Sequence, residues 1–212
     1  MSYRSGMRSY DDPCGLARAL DLVGERWAML VVRELTLGPK RFSDLRRGLP
    51  ALSQNVLAQR LRELEEAGVL TRRRLEPPAS TWAYELSERG RGLEPALLAL
   101  SAWGSRTPMS PGAAAAELSA DALMLALRTT AVPSGEPARV ELRLDDDRFG
   151  VVVDERVSVT RGPIAQPDAM ISGHAAAFRA VVFGGGPLSD LDVAGDRAIA
   201  ERFVRMFPRP AV

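Results

Sequence analysis

Asn55, Gln59 and Arg62 follow one another at intervals of four and three residues in the stretch 53–67. At about 100° per residue these spacings place all three on one side of a helix. The chemistry available there is recognition of base edges. Asn and Gln pair bidentately with adenine, and Arg pairs with guanine in the major groove. Ser53 and Gln54 stand at the entry to the same stretch, while Glu63, Glu65 and Glu66 crowd its far end and would repel phosphate. The N-terminal half of the helix is therefore expected to enter the groove. Taken alone, the pattern equally describes the solvated face of a core helix. The surrounding charge favours recognition. Residues 40–74 hold nine Lys and Arg against four Asp and Glu, although the whole chain of 212 residues has a formal net charge of only +1. A local basic footprint on a balanced protein marks a nucleic-acid-binding face. The candidate contacts are Lys40, Arg41 and Ser43 at its start, Ser53, Gln54, Asn55, Gln59, Arg60 and Arg62 in the helix, and Arg72, Arg73 and Arg74 beyond it.

These side chains need elements to hold them. Leu57, Leu61 and Leu64 form an apolar stripe opposite the amides. Ser53 supplies an N-cap and Gly68 a C-terminal stop. Upstream, Leu16, Leu20 and Val23 space a first short helix ending at Gly24. A second is expected over 25–37 with Trp27, Leu30, Val31, Glu34 and Leu35 mostly inward, and Gly38-Pro39 stops it. A short helix over 42–47, the turn Gly48-Leu49-Pro50 and the helix after it compose a helix-turn-helix. Beyond Gly68 the period changes, predicting strands over 69–75 and 81–86 around a loop at 76–80. A hairpin in that place is a wing, and its consecutive arginines would lie near the DNA backbone. Ser87 then opens a helix that Leu93, Ala96, Leu97, Leu100 and Trp103 stripe as one long element. This is more apolar surface than a small domain covers, so a partner helix, and with it a homodimer on paired half-sites, is expected.

The segment CGLARALDLVGERWAMLVVRELTLGPKRFSDLRRGLPALSQNVLAQRLRELEEAGVLTRRR, with YELSERGRGLEPALLALSAWG after it, resembles the HxlR-type bacterial transcription regulators over residues 14–104. The resemblance implies a dimeric winged helix-turn-helix that binds pseudo-palindromic operator DNA as repressor or activator. Some members use a cysteine at this position to sense oxidants or electrophiles, which makes Cys14 a candidate redox residue and no more.

The second half is built differently. Residues 106–117, rich in Pro, Gly and Ala, read as a linker between a domain over 1–105 and another over 118–212. Ala120, Leu123, Met124 and Leu127 mark a helical face. Alternating strands follow at 139–144, 149–153 and 157–161, then a short strand at 169–172, a helix over 174–184, a strand at 191–193 and a last helix after Asp196. The order is α+β. The pieces VELRLDDDRFGVVVDERVSVTRG, PDAMISG and LDVAGDRAIAERFVRMF resemble the sterol-carrier-protein-like fold. That resemblance implies a sheet covered by helices around an apolar cavity for a lipid or another hydrophobic small-molecule effector. Met124, Leu127, Phe178, Val182, Phe203 and Phe207 are the candidate lining, and the same six residues equally suit a filled core.

Other chemistries find little support. Asp145-Asp146-Asp147 lacks the alternating ligands and later Glu of a calcium loop, and Gly184-Gly185-Gly186 lacks a phosphate-cradling lysine. One Cys and one His, far apart, make neither a zinc site nor a nucleophile–base pair, so no metal, cofactor or enzyme activity is expected. No apolar run approaches the ~18 residues of a membrane span, and the N-terminus has no apolar signal core, which predicts a cytoplasmic protein. The expected fold is an N-terminal, mainly α winged helix-turn-helix followed by a C-terminal α+β sterol-carrier-protein-like domain. The expected function is a DNA-binding transcriptional regulator responding to a hydrophobic molecule. The alternatives are a hydrophobic-ligand carrier whose first half only dimerises, and a thiol-based regulator acting through Cys14.

Overall fold

The computed structural model describes residues 9–76, 80–110, 112, 116–133 and 135–208. The chain divides into two compact units, Met1–Glu94 and Pro95–Val212. The expected boundary at 105 lies further on, after the helix that opens the second unit.

The first unit runs α1 (Gly15–Val23), α2 (Ala28–Leu35), α3 (Phe42–Gly48), α4 (Gln54–Glu66), β1 (Leu70–Arg74), β2 (Trp82–Leu86) and α5 (Glu88–Arg91). Residues 1–8, and 77–79 of the expected hairpin loop, lie outside the described residues. α4 forms where its signals stand. The Ser53 hydroxyl accepts from the Val56 amide at 3.4 Å, and Gly68 takes φ +69°, a conformation suited to glycine. Leu57, Leu61 and Leu64 enter a core with Val31, Val32, Leu35, Leu45, Leu70 and Leu86. α2 departs from expectation. It begins at Ala28 because Trp27 adopts φ +80°, a left-handed conformation that cannot continue a helix of L-residues, so 25–27 form a turn. Leu30, expected inward, is exposed, as are Leu16 and Leu20 on α1.

The long helix expected after Ser87 is two. α5 ends at Gly92, and α6 (Glu94–Gly104) starts anew with Pro95 in its first turn, where the missing N–H costs nothing. Gly90 fixes the placement of α5. A Cβ there would lie 2.0 Å from the Val69 carbonyl oxygen, so only glycine allows this approach.

The second unit continues with α7 (Ala120–Thr130), β3 (Ala138–Leu144), β4 (Asp147–Val153), β5 (Val157–Arg161), β6 (Ala169–Gly173), α8 (Ala175–Gly184), a 3-10 turn (Leu188–Asp190), β7 (Asp192–Gly195) and α9 (Arg197–Arg205). Of the expected linker, residues 111 and 113–115 lie outside the described residues. The five strands are ordered β5-β4-β3-β6-β7. All neighbours are antiparallel except β3 and β6, which run parallel with Leu142 opposite Ile171. The alternation read from the sequence sets the faces. Val140, Leu142, Leu144, Phe149, Val151 and Ile171 are buried on the same side as Phe178 and Phe203 from the helices. The α+β architecture therefore stands. Ser101 on α6 lies 3.4 Å from Thr129 on α7, within this unit.

Candidate nucleic-acid interface

α4 presents its polar face to solvent. Gln54, Asn55, Gln59 and Arg62 are exposed, while Leu57, Leu61 and Leu64 on the opposite side are buried to within 1%. The Gln59 amide donates to Glu63 at 2.9 Å, a bond that base contact would exchange. Ser53 is spent on capping, and Ser43 is exposed on the first turn of α3. The helix that precedes α4 is thus held by Leu45 and Phe42 against the core, and its outer side is polar.

The hairpin places the arginines. Leu70 pairs with Leu86 at its base, Arg72 with Tyr84, Arg73 with Ala83 and Arg74 with Trp82 at its outer end. The base is clamped further by a bridge from the segment before α3. The Lys40 amide donates to the Tyr84 carbonyl at 2.9 Å, and the Tyr84 amide donates to the Lys40 carbonyl at 2.8 Å. A hairpin pinned to the core at its root and carrying arginines outward is a wing.

The cations differ in how far they are free to meet phosphate. Arg72 pairs with Glu65 on α4 at 3.2 Å and Arg73 with Glu85 at 3.3 Å, both half-exposed. Arg41 shares Asp44 with Arg47, at 3.0 and 3.2 Å. Burial alone would raise the Asp44 carboxyl, but hydrogen bonds and the charge of Arg41 outweigh it and hold the group below the usual carboxylate range. Arg62 and Arg74 are exposed and have no ion-pair partner among the described residues.

Two of the expected contacts are engaged in ion pairs. Lys40 extends its ammonium to the buried Glu34 at 2.7 Å, leaving its side chain 11% exposed. Arg60 turns inward to Glu63 at 2.6 Å and to Glu25 at 3.5 Å, with 10% of its side chain exposed. Both are structural ion-pair members rather than parts of the free basic face. Glu34 and Glu25 come from the region of α2, whereas Glu63 stands three residues from Arg60 on α4 itself. Conversely, Arg46 is exposed at the end of α3, although the sequence pattern did not single it out as a contact. Its place on the outer side of the short helix, next to the inward Leu45, was the available signal.

Comparison with known proteins bears on this geometry. The family model for HxlR-like helix-turn-helix proteins matches residues 22–110. The uncharacterized HTH-type transcriptional regulator YtcD of Bacillus subtilis (strain 168) is 43% identical over 86 residues, covering 41% of this chain and 68% of that protein. This chain belongs to the HxlR-like helix-turn-helix family. It is a DNA-binding transcriptional regulator of that family. The regulator YodB of the same organism is 35% identical over 88 residues, or 42% of this chain and 79% of that one. Among solved structures, "Redox regulator HypR in its oxidized form" is similar at 33% identity, covering 46% of this chain and all of that one with a TM-score of 0.43.

In this HxlR-like regulator Cys14 is exposed and precedes α1. Its place before the backbone amides of Leu16 and Ala17, at the start of α1, lowers its thiol from the ordinary cysteine value. The six candidate ligand residues of the second unit are all interior. Met124, Leu127, Phe178 and Phe203 have no exposed surface, and Val182 and Phe207 are 3% exposed. Phe203 meets Phe207 edge-on at 5.2 Å between ring centroids. A groove of about 590 Å³ in this unit is lined instead by Glu136, Asp168, Asp196, Ile199, Arg202 and Arg205, among others. Among the described residues no helix is long and apolar enough to cross a membrane.

Proposed function

We propose that this regulator binds its operator as a homodimer. In this reading Gln54, Asn55, Gln59 and Arg62 read bases, Arg72, Arg73 and Arg74 hold phosphates, and the second unit transmits the state of an effector. The observation that carries the DNA arrangement is the exposed amide-and-guanidinium face of α4 beside a wing whose arginines point outward. Dimerisation is supported by apolar side chains that a monomer leaves in water. Leu16 is 68% exposed, Leu100 53% and Trp103 69%. Sedimentation at micromolar concentration is expected to give twice the chain mass, and Leu100→Ser with Trp103→Ser to give the monomer. Wild-type protein sedimenting as a monomer while still shifting DNA rules the dimer out.

For the second unit we retain the sterol-carrier-protein-like reading with a hydrophobic or lipid effector. Its support is the α+β order of helices over one face of a five-stranded sheet and the apolar interior around Phe178, Phe203 and Phe207. Such a ligand must displace part of that packing, so binding and a change of shape go together. A coupling of roughly 1–3 kcal/mol between effector and operator is expected, equal in both directions. The measurement is an operator titration with and without the molecule found by mass spectrometry of protein isolated from its host. Equal affinities would leave the second unit a structural module.

A second reading, a thiol-based regulator through Cys14, rests on that residue's exposure and lowered thiol. A lowered thiol is more ionised at neutral pH and reacts faster. Alkylation of native protein is expected to reach half its maximal rate at a lower pH than alkylation of the same cysteine in the unfolded chain. An oxidant that leaves DNA binding unchanged in the wild type excludes the switch.

A further inference from the structure

Trp82 stands apart from the machinery assigned so far. It is 61% exposed, at the outer end of β2. Directly paired residues of an antiparallel ladder share a face, so Trp82 lies beside Arg74 and on the same side as Arg72 and Tyr84. That face changes along its length. Leu70 and Leu86 at the root are in the core, Tyr84 is partly buried against it, and Arg74 and Trp82 are open. On the other face Arg73 is answered by Glu85, whereas Arg74 has no acid partner among the described residues. The outer end of the wing therefore pairs one unneutralised guanidinium with one uncovered indole.

A DNA strand offers the matching pair. Along each strand phosphates recur every ~3.4 Å of helix axis, and between them lie deoxyribose rings whose C–H faces are apolar. We propose that Trp82 is a DNA-contact residue, its indole packing on the sugar that follows the phosphate held by Arg74. The occupant is double-stranded DNA rather than a protein because the hairpin carries Arg72, Arg73 and Arg74 in succession. A flat indole adds contact area at small entropy cost, and sugar contact is independent of base sequence. The inference rests on the wing's role in DNA binding.

The test measures affinity for sheared mixed-sequence duplex DNA across a range of salt, using the full chain. Trp82→Ala is expected to bind about tenfold more weakly with an unchanged salt slope, because every phosphate remains held. Trp82→Phe should recover most of the loss. Arg74→Ala should flatten the slope by about 0.9. As an independent measure, DNA should shift the indole emission of the wild type more than that of Trp82→Phe. Wild-type affinity in Trp82→Ala alongside weakened Arg74→Ala overturns the proposal and leaves the wing's role standing. A flattened slope in Trp82→Ala also overturns it, since the indole would then only prop the arginine. Wild-type behaviour in both variants also overturns it and takes Arg74 out of phosphate binding.

Discussion

Alanine at Arg72, Arg73 and Arg74 together is expected to lower affinity for duplex DNA on the order of a hundredfold at physiological salt and to flatten the salt slope by about 0.9 for each phosphate no longer neutralised. The expectation follows from a wing that is rooted in the core but open at its outer end. The three arginines should not contribute equally. Arg72 must leave Glu65, and Arg73 must leave Glu85, before either can meet a phosphate. Exposed pairs of this kind contribute ~0–1 kcal/mol, so the exchange is cheap but not free. Arg74 has no such partner among the described residues, and its single variant should show the largest effect of the three. Because phosphate binding carries no sequence information, the loss should be the same for all duplexes. A salt slope unchanged in the triple variant would mean that the wing does not touch the backbone.

The second large effect concerns stability. Glu34 has no exposed surface, and its carboxylate accepts from Arg33 at 2.8 Å and Lys40 at 2.7 Å. Lys40 in turn bridges to Tyr84 through its backbone, so this one carboxylate ties α2 to the root of the wing. Gly48 at the end of α3 leaves room for it, as a Cβ there would lie 2.3 Å from the Glu34 Oε2. Glu34→Ala takes this buried carboxylate away from two nearly buried cations and is expected to cost ~3–5 kcal/mol in urea unfolding. Replacing Glu34 and Lys40 together by Leu and Met should recover part of the loss, because one of the two cations is then removed as well. Gly48→Ala should cost ~1–3 kcal/mol by pressing on the same carboxylate. A loss below ~1 kcal/mol in Glu34→Ala would mean that water reaches Arg33 and Lys40 once the carboxylate is gone.

The residues that were legible from the sequence are those whose signal is local. Ser53, Gly68 and the stripe Leu57-Leu61-Leu64 bound α4 almost to the residue, and alternation marked β3, β4 and β5. Asp196 caps α9 as its position suggests, accepting from the amides of Ala198 and Ile199 at 2.8 and 3.1 Å. The readings that failed depended on distant atoms. Nothing near Lys40 states that Glu34 on α2 takes up its ammonium, and the i,i+3 spacing of Arg60 and Glu63 does not show that this pair also reaches Glu25. The break between α5 and α6, by contrast, carries local signals, Gly92 at the end of α5 and Pro95 in the first turn of α6, which the apolar stripe through Leu93 and Leu97 masked. The left-handed Trp27 is a tertiary outcome, since propensity alone extends α2 through it. In the second unit the parallel pairing of β3 with β6 is non-local, and periodicity shows that Phe178 and Phe203 are inward without showing what lies between them.

Base reading by the exposed face of α4 is tested most directly by selecting bound duplexes from a mixed-sequence pool with the wild type and with Asn55→Ala and Gln59→Ala. The wild type should enrich two related half-sites with centres ~10–10.5 base pairs apart, or a multiple of that spacing. Each variant should lose preference at one or two positions in both half-sites, by roughly 1–3 kcal/mol, and keep the rest. Enrichment of the same sequence with the same preferences in all three proteins would contradict this assignment and move base recognition off α4.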